Sequence, residues 1–292
     1  MMQKRSYYSR IAAVYFSPVG TTAEAVRLIA DTLSAKLGIP DEYLDFTLPE
    51  EQRKQYSFRE DDIVVFGVPT YAGRVPNKIL PVIQSGFCGN GAAAVPVVTF
   101  GNRSFDDSLK ELSLVLTDRG FRIVSGAALA TEHVFSEKIG TGRPDRRDRE
   151  EIVGFAEDTA ELLRMTACGQ TAYSELQIPG RDPVGPYYTP LGTDGKPARF
   201  LKAKPVTDPE KCDHCGICAA VCPMGSISRE DETQVEGICI KCQACIKKCP
   251  RHARCFTDEA FLSHVAMLEQ NYTKRAGNVF CIRQIIPCAK QE

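Results

Sequence analysis

The sequence predicts an α/β protein in which a doubly wound, five-stranded parallel sheet precedes a small cysteine-rich module. Three observations predict it. Apolar, β-rich runs alternate with helical segments through the first 167 residues, the pattern of βαβ crossovers. Several of those runs are almost continuously apolar, as strands are when helices cover both faces. Eleven of the 13 cysteines fall after residue 205, so the composition is that of two unlike parts.

The elements follow in order. Residues 11–17 (IAAVYFS) read as the first strand, and residues 21–37 as a helix with apolar Ala25, Leu28, Ile29, Leu33 and Leu37 and a stop at Gly38. Residues 42–46 give the second strand and residues 61–69 (DDIVVFGVP) the third. A short helix with proline in its first turn is placed at 76–84. Residues 92–100 (AAAVPVVTF) form the fourth strand, although Pro96 has no N–H to give a ladder. A helix at 105–119, a strand at 121–130 and a helix at 149–168 complete the series. Five strands in about 165 residues suit an open sheet, since an eight-stranded barrel takes about 250.

Residues 179–205 hold six prolines and four glycines without periodicity, the mark of a connector long enough to wrap a domain. The expected division is therefore 1–168 for the sheet domain, 169–205 for the connector, 206–257 for the cysteine module and 258–292 for a C-terminal helix and tail. The helix is placed at 258–272, where apolar residues recur at helical spacing.

Composition narrows the function. With 292 residues, 43% hydrophobic and 25% charged, the chain has globular values. Its 36 basic and 37 acidic residues leave a net charge of -1, which argues against a mainly electrostatic nucleic-acid binder. No apolar run is long enough to span a membrane, and the N-terminus does not read as a signal peptide. A cytoplasmic location is expected, and an odd number of cysteines there is poorly explained by disulfides.

The cysteines have a pattern of their own. Residues 212–223 (CDHCGICAAVCP) are repeated as residues 239–250 (CIKCQACIKKCP), each with the spacing C-x2-C-x2-C-x3-C-P. A pair of zinc sites is the competing reading, but zinc motifs set two CxxC pairs apart by a longer insert. Over residues 206–256 the chain resembles bacterial 2[4Fe-4S] ferredoxins, small α+β domains in which the fourth cysteine of each run serves the other cluster. The resemblance implies one cluster on Cys212, Cys215, Cys218 and Cys249, and a second on Cys239, Cys242, Cys245 and Cys222. One reason for the crossing is that a compact turn offers three thiolates to a cube and cannot bend to offer a fourth. Residues 206–292 carry 11 basic and 11 acidic side chains, whereas the free carriers of that family are acidic. Cys88, Cys168, Cys255, Cys281 and Cys288 stand outside the spacing and read as packing thiols.

The first strand runs into Ser17-Pro18-Val19-Gly20-Thr21-Thr22 and then a helix. Unpaired amides, helix dipole and hydroxyls make such a turn a phosphate site, though serine and threonine are also ordinary caps. Neither GxGxxG nor GxxxxGK[ST] is present. Two further loops end strands three and four: Pro69-Thr70-Tyr71-Ala72-Gly73-Arg74, and Gly101-Asn102-Arg103-Ser104-Phe105. In a doubly wound sheet all three loops emerge at the carboxyl edge, where ligands bind. Tyr71 and Phe105 offer aromatic surface, Gly73 and Gly101 close backbone approach, and Asn102 and Arg103 polar groups.

On these loops the first 167 residues resemble flavodoxin-like FMN domains, with Val19 and Thr21 in place of the family's threonine and asparagine. With the cysteine module, nearly the whole chain resembles the flavodoxin–ferredoxin fusion proteins of anaerobes. The resemblance implies a 2-1-3-4-5 strand order, FMN, two [4Fe-4S] clusters and a redox protein as donor or acceptor. Electron transfer between flavin and clusters is the expected function, with no catalytic side chain nominated. His133, His214, His252 and His264 are expected on the surface or in packing. Two other readings stand beside it: a flavin-dependent reductase of a small substrate fed by the clusters, and an iron–sulfur sensing module whose flavodoxin-like domain is empty.

Overall fold

The computed structural model describes residues 7–167, 172–283 and 285–286. Cys168 and Cys288 lie outside the described residues. Five parallel strands, β1 (Arg10–Tyr15), β2 (Asp41–Asp45), β3 (Asp62–Pro69), β4 (Ala93–Phe100) and β5 (Ser125–Ala130), stand in the order β2-β1-β3-β4-β5. This 2-1-3-4-5 order is that of flavodoxin-like doubly wound sheets.

Alternate residues of the strands feed two cores. Val14, Phe66 and Val98 face one side, where they meet α2 (Leu80–Gly86) and α3 (Ser108–Asp118). Ile11, Val65 and Val97 face the other, against α1 (Thr21–Leu37) and α4 (Arg146–Ala167). All six side chains are fully buried, which is why these strands read as apolar runs rather than as alternations. Helix α2 starts four residues later than its proline suggests. Residues 76–79 form a turn instead, in which the Pro76 carbonyl accepts from the amides of Ile79 (2.8 Å) and Leu80 (2.9 Å).

Pro96 is accommodated by a slip in register. Ala94 pairs with Ile123 and Val97 with Ala127, so three residues of the neighbouring chain face two of β4. The missing N–H falls in that bulge. The expected strand at 121–130 is correspondingly split into Arg122–Ile123 and β5.

In the cysteine module, two one-turn helices, α5 (Ile217–Ala220) and α6 (Ala244–Lys247), carry the third cysteine of each run. Helix α7 (Glu259–Asn271) is capped by Asp258, whose carboxylate accepts from the Phe261 amide at 2.8 Å. Its buried Phe261, Met267 and Leu268 pack among Phe135, Ile139, Leu191 and Phe256. It therefore touches the loop after β5, the connector and the cysteine module together.

The tail contributes an element that the sequence did not suggest. Val279–Ile282 forms a strand, β6, antiparallel to β5, with Val279 opposite Ala128 and Ile282 opposite Ser125. Cys281 is buried within the α2–α3 core. Among the described residues no helix is long and apolar enough to cross a membrane.

Candidate functional site

A cavity of about 220 Å³ opens at the carboxyl ends of β1, β3 and β4. Ser17, Pro18, Val19, Thr21 and Thr22 line it from the first loop, and Pro69, Thr70, Tyr71, Ala72 and Gly73 from the second. The first turn of α1, whose amides have no intrahelical acceptor, is thus part of the wall. Gly20 supports the turn from outside the lining, with φ at 101° as the helix begins. The loop is braced from within. The Ser17 hydroxyl accepts from the Ala23 amide (2.9 Å), Thr47 Oγ1 accepts from the Ser17 amide (2.8 Å), and the Thr22 and Thr99 hydroxyls pair at 2.7 Å.

The third loop is used differently from expectation. Gly101, Arg103 and Ser104 line the cavity, but Asn102 and Phe105 do not. The Asn102 amide donates to the carbonyls of Tyr272 (2.7 Å) and Lys274 (2.9 Å), and its oxygen accepts from the Ala276 amide (2.9 Å). It is a buried anchor for the segment after α7, and that commitment removes it from the ring-side set. Phe105 packs on Phe100, ring centres 5.4 Å apart.

Residues not assigned to the site from the sequence close the cavity, among them His133 and His264, which were expected on the surface or in packing. Thr131, His133 and Phe135 come from beyond β5, Tyr188, Pro190 and Phe200 from the connector, and His264 and Leu268 from α7. The connector is held over the loops by several ties. The Ala72 carbonyl accepts from the Tyr188 amide (2.8 Å), Asp107 accepts from Arg181 and Gly185, and Arg103 lies 4.0 Å over the Tyr188 ring. Burial lowers the pKa of both histidines, that of His133 to about 4, so the His133 ring is neutral at pH 7. Burial, reinforced by the nearby Cys242 and Cys239, raises the Tyr71 hydroxyl well above its ordinary range. No local pattern marks these residues as one set, because they come from three separate stretches of chain.

The eight run cysteines divide between two smaller cavities. Cys212, Cys215, Cys218 and Cys249 line one, with Ile217, Glu232 and Arg254. Cys222, Cys239, Cys242 and Cys245 line the other, with Ile227, Ile238 and Phe256. The two runs share a backbone course. Left-handed residues His214, Gly216 and Gly225 in the first match Lys241, Gln243 and His252 in the second. Ser226 donates its amide to Cys222 Sγ at 3.3 Å, and Ala253 to Cys249 Sγ at 3.4 Å, again at matching positions. Burial raises the thiols of Cys242 to about 12 and Cys245 to about 11, so a ligand that binds thiolates displaces their protons. Each quartet surrounds a cavity; among the described residues no three His, Cys, Asp or Glu side chains come close enough to hold a single metal ion. His214 is exposed beside Glu232, at 3.4 Å.

The residues present suit the groups that the sequence pattern implies. Convergent thiols, with backbone amides donating to Cys222, Cys239 and Cys249, suit an iron–sulfur cluster. The guanidinium of Arg254, with Nε and Nη2 buried and unpaired, suits an anion beside Cys218. The large cavity has a hydroxyl- and amide-bearing loop together with an aromatic wall, as a flavin mononucleotide needs.

Three comparisons bear on the chain. Residues 205–228 match the 4Fe-4S binding domain family model. No curated protein matches. Among solved structures, a flavodoxin from the domain Archaea is 14% identical, with 53% of this chain and 98% of that chain covered and a TM-score of 0.37. A Streptococcus pneumonia TIGR4 flavodoxin is 20% identical, covering 52% and 99%, with a TM-score of 0.37. Rubredoxin oxygen:oxidoreductase from Desulfovibrio gigas is 15% identical, covering 57% of this chain and 37% of that one, with a TM-score of 0.39. The parallel 2-1-3-4-5 sheet is thus followed by a region, residues 205–228, that is similar to 4Fe-4S binding domains.

Proposed function

We propose that this chain is a cytoplasmic electron carrier that passes electrons between FMN, held at the sheet edge, and two [4Fe-4S] clusters, held by the two cysteine quartets. One observation carries the reading: Ile240 and Lys241 line both the large cavity and the cavity of Cys222, Cys239, Cys242 and Cys245. The two sites share a wall.

Bound FMN supplies a centre that exchanges two electrons with one partner and single electrons with another, while each cluster exchanges one. The chain's own residues do the rest. Ser17 to Thr22 would receive the phosphate at the start of α1. Tyr71 would lie along the ring on the side of Cys239 and Cys242. Tyr188, Pro190, Phe200 and Leu268 exclude water from the outer side, which strengthens electrostatic interactions inside. Lys247 fastens the second cysteine run to the loop after β5 through Glu132, at 2.7 Å. Crossed ligation, with Cys222 and Cys249 exchanged between runs, is supported by the way the quartets line separate cavities. Free thiols in such number suit a reducing compartment, and a second redox protein would serve as donor or acceptor.

Anaerobic purification and reconstitution, followed by iron, sulfide and flavin analysis, tests the reading. About eight irons, eight sulfides and one FMN per chain are expected. Stoichiometric zinc, or fewer than about four irons, would refute the two-cluster assignment. Cys222→Ser should damage the cluster on Cys239, Cys242 and Cys245; loss of the other cluster alone would refute the crossing.

A further inference from the structure

Arg254 follows the second cysteine run and lines the cavity of Cys212, Cys215, Cys218 and Cys249. Its residue is 4% exposed. Nη1 donates to Thr207 Oγ1 at 2.9 Å and to the Glu232 carbonyl at 2.6 Å, and lies 3.7 Å from Cys218 Sγ. Nε and Nη2 are buried without a partner. Glu232 contributes only its backbone carbonyl, since its carboxylate faces His214. Among the described residues no carboxylate forms an ion pair with Arg254. A buried guanidinium without a counter-charge is costly, and such groups are retained where an anion completes them. The guanidinium stands beside Cys218 of one quartet, and Cys245 of the other lies within its hydrogen-bonding reach.

We propose that Arg254 is the shared counter-charge of the two cysteine cavities and holds both clusters at a higher reduction potential than the thiolates alone would set. The assignment rests on the two-cluster reading above. A cluster ligated by four thiolates is an anion, and reduction adds one electron and one further negative charge. A fixed cation nearby stabilises the reduced state more than the oxidised one, so its removal makes reduction harder. Because one guanidinium serves both quartets, both potentials should move, and in the same direction. Arg254 touches no substrate; it is a positioning residue for charge.

The test is an EPR-monitored redox titration of the anaerobically reconstituted full chain, with iron and sulfide counted first. Arg254→Gln should keep the wild-type iron content and lower both potentials by at least 59 mV, a tenfold change in each one-electron equilibrium. Arg254→Lys, which keeps the charge but loses the fork, should lower both by less. Unchanged potentials at full iron content would overturn the proposal, and movement of one cluster alone would overturn its shared character. If Arg254→Gln loads less iron, Arg254→Lys decides: two lowered potentials support the assignment and two unchanged ones overturn it. A wild-type chain that does not reach two clusters would instead refute the reading on which the assignment rests.

Discussion

Gln243 holds the left-handed backbone conformation that Gly216 holds at the matching place in the first cysteine run, with φ of 64° and 73°. The cysteine spacing imposes this turn whatever residue occupies it. For a side chain such a conformation costs about 1–2 kcal/mol. At Gly216 an added Cβ would meet only Glu232 Oε1, at 3.7 Å, an ordinary contact. Gly216→Ala should therefore lose about 1 kcal/mol of stability, with iron content unchanged. Denaturant titration with iron analysis checks both, and loss of a cluster would contradict the purely conformational account.

Gly101 presents a sharper constraint. A Cβ there would stand 2.4 Å from Cδ2 of the His133 ring and 2.9 Å from the His133 Cα. Backbone as well as ring must move, at about 1–3 kcal/mol. Since both residues line the large cavity, Gly101→Ala should weaken FMN binding at least about tenfold, equivalent to about 1.4 kcal/mol. Flavin fluorescence titration reads the affinity, and unaltered iron content separates it from damage to the cysteine module.

Asp148 is the acid-sensitive tie between α4 and the tail. Burial alone would raise its carboxyl, but the Arg143 fork, the Asp145 amide and the Asn278 amide hold it below the usual range. Its folded value lies under its unfolded value of about 3.9. The contribution is thus complete above pH 3.9 and fades as pH falls through the lower folded value. Asp148→Asn leaves the Arg143 guanidinium, 3% exposed, without its anion, at a cost of about 3–5 kcal/mol. Stability of wild type and variant, followed from pH 7 to pH 2, should converge in acid. A constant gap would contradict this account.

Asp107 fastens the connector, accepting from the Arg181 amide (2.9 Å), Arg181 Nε (2.8 Å) and the Gly185 amide (3.0 Å). Hydrogen bonds to a charged group are each worth about 1.5–3 kcal/mol. In Asp107→Ala, trypsin should cut after Arg181 at least about tenfold faster, because cleavage follows the open population. Equal rates would show that other contacts hold the strap.

The strands facing two cores were legible because burial on both sides leaves only apolar residues, as in Ile63–Phe66 (IVVF) of β3. The two cysteine runs were legible because their spacing is local, whereas the crossed quartets came from the resemblance and not from the spacing. Asn102 was misread for the opposite reason: its partners at Tyr272, Lys274 and Ala276 lie far along the chain, and nothing nearby in sequence announces them. The outer wall of Tyr188, Pro190 and Phe200 escaped notice in the same way, and His264 was read only as a surface or packing residue. β6 was missed because four residues, VFCI, have a strand's character only once β5 offers an edge.

That late strand bears on the order in which the protein can be made. A ribosome delivers β1 to β5 first, then both cysteine runs, and only afterwards the segment that seals the β5 edge and places Cys281 in the core. Until then the growing chain carries an open sheet margin of the kind that invites wrong pairings. Maturation of the first half is thereby tied to completed synthesis of the second, and a chain interrupted after the cysteine runs would leave that margin bare.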